Sequence, residues 1–462
     1  MSLFFKNSKQ SSVDIPKYLE INKTVFYEIH VKVKDVEWTL QRRYNEFHEL
    51  NERLVKDQGL SKQLLPPKKI VGNKNAQFLE QRRTQLEEYI KNLLHFFRLT
   101  MPRTFVEFIN LNKYDVIYLL QDMSKSICEA NKTVQTTIKS YTFTALEVHA
   151  ISERLCLPCP AFEESDNFDF SHVLDFCNSL ENVKITPIKL LNENHLNDYN
   201  AVDVPMDRTN IIPKTLNFNL NAFQNLKYLE IYSMPTENIT DISFHRPSLK
   251  TFTVHNTTTT SLSQILLCDN LHKNSDVFSD TDQWKSLDSI DFSGNLLTSI
   301  DRCIILAPKL KTLNLEQNRL KRLENLNDLI FLQKLNLSIN CFSEFEDWHL
   351  QLGNLISLNL SQNKIKRLSG LRKLLSLQSL DLSCNSIEDL DEITHIAGLP
   401  LLENLQLTGN PLARSVDYRP RVLAKFHDRL EEICLDNEKG NSNELDMALV
   451  LSALEKSNKS CS

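Results

Sequence analysis

The sequence predicts a multidomain α+β protein. A small domain with a three-stranded antiparallel sheet and helices is followed by a repeat solenoid with a carboxy-terminal cap. Three observations predict it: apolar and polar side chains alternate across residues 22–41, a leucine-containing motif recurs from residue 287 onward, and the two halves differ in charge. With 462 residues, the chain is long enough for two or three domains that each bury a core.

The recurring motif has leucine or a similar residue at fixed positions and ends in asparagine, as in LKTLNLEQN from Leu310 and LQSLDLSCN from Leu377. The asparagines are Asn295, Asn318, Asn340, Asn363, Asn385 and Asn410, at spacings of 23, 22, 23, 22 and 25 residues. This is the period of leucine-rich repeats, in which short strands stack and their leucines point inward. We expect each asparagine to satisfy backbone groups where its strand ends.

Weaker units precede these repeats and start at Leu180, Leu226 and Leu249, with a polar insertion expected around residues 268–282. The predicted boundaries are 15–112 for the amino-terminal domain and 113–175 for a largely helical connecting segment. The solenoid with its cap is predicted at 176–430, with clear repeats at 287–426, and an acidic loop and short helix at 431–462.

The strand residues between the leucines should form the concave face of the solenoid. We predict a protein-binding surface there, with the candidate residues Asn314, Glu316, Lys334, Asn336, Asn359 and Asp381. The alternative is a solvated face, with the true contacts on an edge or in the tail. No histidine–carboxylate pair, activated nucleophile, metal site or cofactor site is expected on this face.

Charge is distributed unevenly along the chain. Residues 1–112 carry 19 Lys and Arg against 13 Asp and Glu, whereas the whole chain has a net charge of −6. A basic head on an acidic body indicates an anionic partner, either phosphorylated lipid or nucleic acid. The head lacks interleaved aromatic residues and a base-reading helix, which favours lipid. Without a signal sequence or a long apolar run, a cytosolic protein with peripheral membrane contact is expected.

Three ordered motifs lie in the basic head. Residues 42–47 read RRYNEF, residues 66–69 read PPKK, and Arg82 lies four residues before Leu86 on a predicted helix that starts at Phe78. In this order and spacing, they resemble a PX domain over about residues 15–112. The resemblance implies binding of phosphatidylinositol 3-phosphate, and hence a location on early endosomes.

The resemblance also implies roles for single residues. Arg43 would hold the 3-phosphate, Tyr44 would form the floor under the inositol ring, Lys68 would contact the 1-phosphate, and Arg82 would hold ring hydroxyls. Arginine suits this chemistry because its planar fork binds phosphate oxygens in a bidentate manner. Arg42 is interpreted as a solvated neighbour.

The loop after the prolines is implied to enter the bilayer. Ile70 and Val71 stand between Lys69 and Lys74, a combination that suits an anionic interface. Alternatives stay open for these residues. Arg43 could form a structural ion pair at the helix start, the lysines could be ordinary loop residues, and the apolar pair could pack on the domain.

A PX domain followed by leucine-rich repeats with this cap resembles the nischarins, the imidazoline-receptor candidate proteins, over about residues 20–455. The resemblance implies a non-enzymatic endosomal adaptor that restrains Rac signalling and cell migration, with Rac or its downstream kinases as candidate partners. Longer members continue past the repeats, so partners that need those regions, such as an integrin tail, are not implied.

No GxSxG, Walker A, HExxH or kinase signature occurs, which favours a binding protein over an enzyme. The predicted locations are early or recycling endosomes, with the plasma membrane as the alternative. The rival function is a leucine-rich-repeat scaffold, or a regulator of phosphatases or the cytoskeleton, whose PX domain contacts protein rather than lipid.

Overall fold

The computed structural model describes residues 11–33, 36–68, 75–97, 101–133, 139–156, 170–187, 210–211, 216–269, 280–345 and 348–460. The chain forms two compact units. Unit 1 comprises Met1–Lys139, Phe143–Ser179 and Pro187–Phe223, and unit 2 comprises Ser140–Thr142, Leu180–Thr186 and Gln224–Ser462. None of the helices in these ranges combines the length and apolar character needed to cross a membrane.

The strands are β1 (Ser11–Ile21), β2 (Thr24–Val33), β3 (Val36–Arg43), β4 (Ser140–Thr144), β5 (Asn182–Thr186), β6 (Asn210–Ile211), β7 (Phe218–Asn219), β8 (Tyr228–Tyr232), β9 (Ile239–Asp241), β10 (Thr251–His255), β11 (Ser289–Asp291), β12 (Thr312–Asn314), β13 (Lys334–Asn336), β14 (Ser357–Asn359), β15 (Ser379–Asp381), β16 (Asn404–Gln406), β17 (Cys434–Leu435) and β18 (Glu438–Lys439).

The α-helices are α1 (Tyr44–Gln58), α2 (Ala76–Phe96), α3 (Arg103–Phe108), α4 (Leu111–Tyr114), α5 (Val116–Thr133), α6 (Ala145–Cys156), α7 (Ser171–Ser179), α8 (Ser263–Leu266), α9 (Trp348–Gln351), α10 (Thr394–Ala397), α11 (Tyr418–Ala424) and α12 (Ser442–Ser460). Short 3-10 helices span Lys62–Leu64, Thr236–Asn238, Ser243–His245, Asp280–Asp282, Arg302–Leu306, Ser369–Leu371, Leu390–Ile393, Pro411–Arg414 and His427–Arg429.

Unit 1 confirms the predicted three-stranded antiparallel sheet, because β1 pairs with β2 and β2 pairs with β3. The two-residue β6 adds an edge strand beside β3. Along β2 and β3 buried residues alternate with more exposed ones, as a half-buried sheet requires. The helices cover the buried face, where the Phe47 ring packs edge-on against Tyr27, Tyr89 and Phe108. Unit 1 therefore builds one aromatic core under its sheet.

Helix α1 begins immediately where β3 ends. The carboxylate of Glu46 accepts a hydrogen bond of 2.8 Å from the backbone N–H of Arg43, which satisfies a donor that the first turn leaves without a helical partner. The helix ends at Gly59, whose φ of 68° lies in the left-handed region that glycine adopts most readily. These two signals place Arg43 and Tyr44 at a sharp strand-to-helix junction.

Unit 2 is built on a parallel sheet. Its strands follow in the order β5, β8, β10, β11, β12, β13, β14, β15, β16 and β17, each beside the next. The register aligns one apolar column of middle residues, Ile290, Leu313, Leu335, Leu358, Leu380 and Leu405, all at most 2% exposed. Burial of this column and of the following leucines provides the main driving force for stacking, since no single repeat can bury its own apolar face.

A ladder of asparagine side chains closes each repeat. All six asparagines predicted from the spacing are at most 8% exposed. Asn340 shows the pattern: its Nδ2 donates to Leu337 O at 3.1 Å in its own turn and to Leu315 O at 2.9 Å in the preceding repeat. Its Oδ1 accepts from Leu320 N at 3.0 Å. The equivalent bonds recur at Asn295, Asn318, Asn363, Asn385 and Asn410.

The carboxy-terminal end of the sheet is closed by the hairpin of β17 and β18 together with α11 and α12. The Tyr418 hydroxyl donates to Asp436 Oδ2 at 3.0 Å, and Arg419 Nε donates to Glu444 Oε1 at 2.7 Å. The segment predicted as an acidic loop after residue 430 thus contains a short hairpin. Backbone pairing explains the difference, because the edge of the last repeat offers unpaired groups that β17 satisfies.

A buried ion cluster stands at the base of the polar insertion predicted around residues 268–282. Arg246 Nη2 donates to both Asp269 carboxylate oxygens at 2.9 and 3.0 Å, and Arg246 Nη1 lies 3.6 Å from Asp282 Oδ1. All three side chains are at most 4% exposed. The two aspartates lie at the ends of the insertion, so a single arginine fixes both ends to the repeats.

The asparagine ladder leads to a prediction for stability. Asn340→Ala removes the side chain that forms hydrogen bonds with four buried backbone groups, namely the three given above and Ser338 O. We therefore expect a loss of about 2–4 kcal/mol in the free energy of unfolding. Urea titration followed by fluorescence of the buried Trp284 and Trp348 measures it. Asn327→Ala is the matched control, because Asn327 is exposed and bonds only to Asp328. Equal midpoints for the two variants would contradict the ladder.

Candidate functional site

The four residues implied to bind a lipid head group lie on three segments of unit 1. Arg43 is the exposed last residue of β3, and Tyr44 opens α1 with 8% exposure. Lys68 is exposed after the proline pair, and Arg82 lies on α2 with 7% exposure. The residues of the implied membrane loop, Lys69, Ile70, Val71 and Lys74, lie outside the described residues.

Tyr44 is the residue that links these segments. Its hydroxyl donates a hydrogen bond of 2.5 Å to Pro66 O, which ties the start of α1 to the loop that carries Lys68. The Arg82 guanidinium carbon lies 4.3 Å from the centroid of the Tyr44 ring. Burial raises the pKa of the Tyr44 hydroxyl, and the charge of Arg82 opposes that rise, so the phenol stays neutral at physiological pH.

Arg82 is a buried cation with incomplete hydrogen bonding. Its guanidinium lies between the rings of Tyr44 and Phe78, at 4.3 Å from each centroid. The Nε and Nη2 groups have no partner within hydrogen-bond geometry among the residues that the structure describes; the buried hydroxyl of Tyr27, whose pKa burial raises and the charge of Arg82 lowers, is near this guanidinium but also falls short of that geometry. Stacking on aromatic faces offsets part of the desolvation cost of the charge, but it does not satisfy the donors. Buried donors without partners are rare in proteins and call for an explanation such as a ligand.

A cavity of about 490 Å³ lies between α1 and the loop at residues 62–68. Its walls are Tyr44, His48, Asn51, Glu52, Val55, Lys56, Lys62, Leu65, Pro66, Pro67 and Lys68. It includes Tyr44 and Lys68 but neither Arg43 nor Arg82. The structure therefore places the Arg82 guanidinium on the Tyr44 ring, and it places Tyr44 and Lys68 in the wall of the same cavity. Arg43 is next to Tyr44 in the chain.

Arg42 corrects an expectation, since it is not simply solvated. Its Nε donates to Phe108 O at 3.0 Å, its Nη2 donates to Asn110 Oδ1 at 3.2 Å, and its guanidinium lies 5.4 Å from the Phe108 ring. The reason is a contact between residues 66 positions apart, which local sequence cannot show. Of the two adjacent arginines, Arg42 is structural and Arg43 is exposed.

The helix that carries Arg82 is fastened to β1 by charged side chains. Glu87 Oε2 accepts from Ile15 N at 3.1 Å, Arg83 Nη1 donates to the Ile15 carbonyl, and Lys91 Nζ donates to Glu87 Oε1 at 2.6 Å. Burial alone raises the pKa of Glu87. The hydrogen bonds from Lys91 and Ile15, with the charges of Lys91 and Arg83, outweigh it and lower the pKa below 4.5. Glu87 therefore stabilises the fold in its ionised form.

The predicted concave-face residues share a local structural role. At the end of each strand, a side-chain Oδ1 accepts a hydrogen bond from the backbone N–H two residues later. This occurs at Asp291, Asn314, Asn336, Asn359 and Asp381, at 2.9–3.1 Å. Glu316 accepts from Asn336 Nδ2 at 3.0 Å, and Lys334 is exposed. Apart from Lys334, these side chains are thus held by hydrogen bonds at the strand ends.

A second correction concerns histidine on this face. His255, at the end of β10, lies with Nε2 at 3.7 Å from Asp291 Oδ2 and with Nδ1 at 2.7 Å from Ser293 Oγ. Its ring is 5.1 Å from that of Tyr232, over which Lys184 Nζ lies at 4.4 Å. The sequence expectation of no histidine–carboxylate pair was wrong because His255 belongs to a weak repeat without the marker asparagine. Its β-strand register places it beside the Asp291 repeat.

The His255 cluster has the residue types of a hydrolytic triad but not the geometry. A separation of 3.7 Å between His255 Nε2 and Asp291 Oδ2 exceeds a hydrogen bond, so the carboxylate does not orient the ring. The hydrogen bond with Ser293 and stacking on Tyr232 orient it instead. The described residues also contain no group of three or more histidine, cysteine, aspartate or glutamate side chains able to hold a metal ion. The cluster is a preorganised aromatic and charged surface, of the type found at the centres of protein interfaces.

Comparison with known proteins agrees with the two modules. The PX domain family matches residues 30–112, and leucine-rich repeats (two copies) match residues 353–395. The chain contains a PX domain followed by leucine-rich repeats. Both are recognised as binding modules rather than catalytic ones.

Individual relatives match short stretches of the chain. The kinesin-like protein KIF16B of Mus musculus is 34% identical over 84 residues, which is 17% of this chain and 6% of that protein. Sorting nexin-14 of Danio rerio is 35% identical over 74 residues, which is 16% of this chain and 8% of that protein. The chain thus spans less than a tenth of the length of these relatives.

Two solved structures align with this chain over different shares of its length. An internalin from Listeria monocytogenes covers 68% of this chain and 94% of its own, at 15% identity and a TM-score of 0.37. A designed CISK-PX domain covers 21% of this chain and 97% of its own, at 31% identity and a TM-score of 0.20.

The Glu87 contacts predict a dependence on pH. Because the pKa of Glu87 is lower in the folded than in the unfolded state, its contribution is complete above pH 4.5 and is lost as the pH falls through the folded value. Hydrogen exchange of residues 11–21 should therefore lose protection on acidification in the wild type. Glu87→Gln should show a smaller loss, with lower protection already at neutral pH. Glu88→Gln removes the same charge from an exposed neighbour and should behave like the wild type. An identical pH response in Glu87→Gln would show that the carboxylate does not hold β1.

Proposed function

We propose that this protein is a non-enzymatic, membrane-recruited adaptor whose PX domain binds phosphatidylinositol 3-phosphate and whose leucine-rich repeats bind signalling proteins. The observation that carries the proposal is the buried guanidinium of Arg82, whose Nε and Nη2 donors find no partner in the described part of the chain. A ligand rich in hydroxyl and phosphate oxygens would satisfy those donors. The aromatic floor of Tyr44 lies next to them, and a sugar-like ring can pack on such a floor.

The remaining cations support an anionic ligand with several charged groups. Arg43 is the last residue of β3 and directly precedes Tyr44. Its side chain is exposed, so its guanidinium is accessible to a phosphate. Lys68 is exposed two residues after Pro66, the residue that the Tyr44 hydroxyl binds. In this proposal Arg43 holds the 3-phosphate, Lys68 the 1-phosphate and Arg82 the ring hydroxyls. Lipid of this kind would place the protein on early or recycling endosomes, with the plasma membrane as the alternative.

For the repeats, we propose that a protein partner binds the concave face. Through this partner the protein restrains Rac-type signalling and cell migration. Support comes from the fixed side chains at the strand ends and from the Tyr232–His255 cluster. Rigid aromatic residues contribute most to interfaces because little side-chain entropy is lost when they bind. The same face carries carboxylates at Glu230, Asp291 and Glu316 and amines at Lys184 and Lys334, so a partner can form ion pairs of either sign with it.

Sedimentation of the full-length protein with vesicles tests the lipid assignment. Vesicles of phosphatidylcholine with a few mole per cent of one phosphoinositide should retain the wild type only when that lipid is phosphatidylinositol 3-phosphate. Arg43→Ala and Arg82→Gln each remove charge-assisted hydrogen bonds, so we expect a 10- to 100-fold weaker apparent affinity, about 1.5–3 kcal/mol. Arg53→Ala, an exposed arginine on α1, is the control that should bind normally.

Each result of the vesicle experiment has a definite meaning. Loss in both arginine variants but not in the control supports the pocket. A folded wild type that ignores every phosphoinositide contradicts it and favours the rival function, in which the PX domain contacts protein. Equal loss in Arg53→Ala would show that general charge, and not the pocket, attracts the protein.

The partner assignment has its own test with purified components. Rac loaded with GDP or with a GTP analogue, and separately a Rac-dependent kinase, are titrated with the full-length protein by calorimetry. Tyr232→Ala should weaken a concave-face complex by about 10-fold or more, as truncation of an interface hot spot does. Lys321→Ala, an exposed residue outside the strands, should leave it unchanged. If no complex forms with either component, this partner class is wrong.

A further inference from the structure

Phe78 is an aromatic residue at the head-group site to which the three sequence motifs assign no role. The Arg82 guanidinium carbon lies 4.3 Å from the centroid of the Phe78 ring and 4.3 Å from that of the Tyr44 ring, so the two rings enclose the charged group. Rotation of the guanidinium out of this position would break both stacking contacts. Phe78 therefore restricts the orientation of an arginine that Tyr44 contacts on one face only.

The position of Phe78 follows from the start of α2. Phe78 and Arg82 are four residues apart on this helix, so their side chains lie on the same face. Asn75 is the N-cap, and its Oδ1 accepts a hydrogen bond of 2.9 Å from Gln77 N. Phe78 thus lies in a capped first turn, and the cap opposes the fraying that would release its ring from Arg82.

A third residue, Tyr27 on β2, lies near the guanidinium on the side of the sheet. Tyr27 is 1% exposed, and its ring packs edge-on against Phe47 with 6.3 Å between the centroids. Burial raises the pKa of its hydroxyl, and the charge of Arg82 opposes that rise, which requires the two groups to be close. Within the ranges that the structure describes, neither this hydroxyl nor Nε and Nη2 of Arg82 has a partner in hydrogen-bond geometry. A buried acceptor and buried donors therefore lie near each other at this site.

An arginine that the fold already restricts is suited to ligand binding. A free arginine side chain loses much of its rotamer freedom when it binds a ligand, and this loss weakens binding. Arg82 is 7% exposed and lies between two rings, so most of this freedom is lost on folding instead. Stacking offsets only part of the desolvation of the charge. The arrangement disfavours folding and favours binding, as a preorganised site does.

We propose that Phe78 and Tyr27 are positioning residues of the head-group site. Phe78 holds the Arg82 guanidinium on the Tyr44 ring, and the Tyr27 hydroxyl accepts one of the two Nη2 hydrogens of Arg82 when the head group is bound. Nε and the second Nη2 hydrogen then remain for oxygens of the lipid. Both residues act through Arg82. The inference rests on the proposed function, since it concerns the same site.

Sedimentation of the full-length protein with phosphatidylcholine vesicles that contain phosphatidylinositol 3-phosphate tests each residue. Phe78→Leu keeps an apolar side chain but removes the ring face, and Tyr27→Phe removes only the hydroxyl. We expect each change to lower the apparent affinity by about 3- to 10-fold. Phe78→Tyr is the conservative variant, which keeps the ring face and should restore binding. Phe96→Leu changes an aromatic residue that is 61% exposed on the same helix, and this control should bind like the wild type.

Coupling to Arg82 separates a positioning role from a general structural one. If Phe78 and Tyr27 act through Arg82, neither substitution should lower the affinity further in a chain that carries Arg82→Gln, so the effects are non-additive. The phosphoinositide content of the vesicles is raised until the Arg82→Gln chain binds measurably. A further loss of the same size as in the wild-type background would overturn the proposal. Unchanged affinity in either single variant overturns the role of that residue.

Hydrogen exchange of β2 and α2 gives a readout that needs no lipid. Because the Tyr27 hydroxyl has no partner in hydrogen-bond geometry among the described residues, Tyr27→Phe should leave the protection unchanged or raise it. Tyr89→Phe is the matched control. Its hydroxyl donates to Asn51 Oδ1 at 3.1 Å, so this change should lower the protection and leave vesicle binding unchanged. Lower protection in Tyr27→Phe would show that the hydroxyl supports the fold and would contradict its positioning role.

The positioning role and the lipid assignment can fail separately. A wild type that binds no phosphoinositide contradicts the proposed function, and this inference with it. A wild type that binds, with Arg82→Gln weakened but Phe78→Leu and Tyr27→Phe unchanged, contradicts the inference alone. Loss in both variants that is absent from Phe96→Leu and from the Arg82→Gln background supports it.

Discussion

The solenoid depends on one requirement, which is that backbone groups at the end of each short strand must be hydrogen-bonded without water. Strands of three residues leave carbonyls and N–H groups at their ends that no ladder partner reaches, and these groups are buried by the next repeat. The asparagine at the end of each unit meets the requirement, because one amide can donate twice and accept at the same time. Asn340 bonds to its own turn and to the repeat before it, so it fixes both the turn and the spacing between repeats. The parallel register of the strands follows from that spacing.

Large polar side chains in the core of unit 1 follow the same rule, and we place the function of the unit at a residue that departs from it. Trp38 donates to Ile109 O and Tyr89 donates to Asn51, so two large buried side chains are satisfied. Arg82 is 7% exposed, against 0% for Trp38 and Tyr89, and it retains donors without a partner among the residues that the structure describes. Folding alone would select against such a charge, since an apolar residue of similar size would cost less. A ligand that accepts the remaining hydrogen bonds of Arg82 would explain why the charge is present. The exposed Arg43 lies next to Tyr44 and therefore near the same site.

Periodicity and motif order were sufficient for the architecture, because every repeat expresses the same local constraint and the head has a fixed order of strand, helix and proline loop. Individual contacts depend on distant partners, and sequence reasoning missed several of them. Arg42 bonds to residues 66 and 68 positions away, and nothing in the RRY motif distinguishes it from its neighbour. His255 sits in a repeat that lacks the asparagine and was therefore not aligned with Asp291. Leu375 and Leu401 look like core leucines in the sequence, but they are 58% and 49% exposed, whereas the adjacent Leu374 and Leu402 are buried.

The most direct test of the account is a structure of the protein with a soluble short-chain phosphatidylinositol 3-phosphate bound. We predict that the inositol ring lies against Tyr44, that Nε and Nη2 of Arg82 donate to its oxygens, and that Arg43 reaches the 3-phosphate. The Arg42 and Glu87 contacts should be unchanged, since they belong to the fold. A ligand that binds elsewhere and leaves the Arg82 donors without a partner would contradict the central claim that this buried charge exists for the head group.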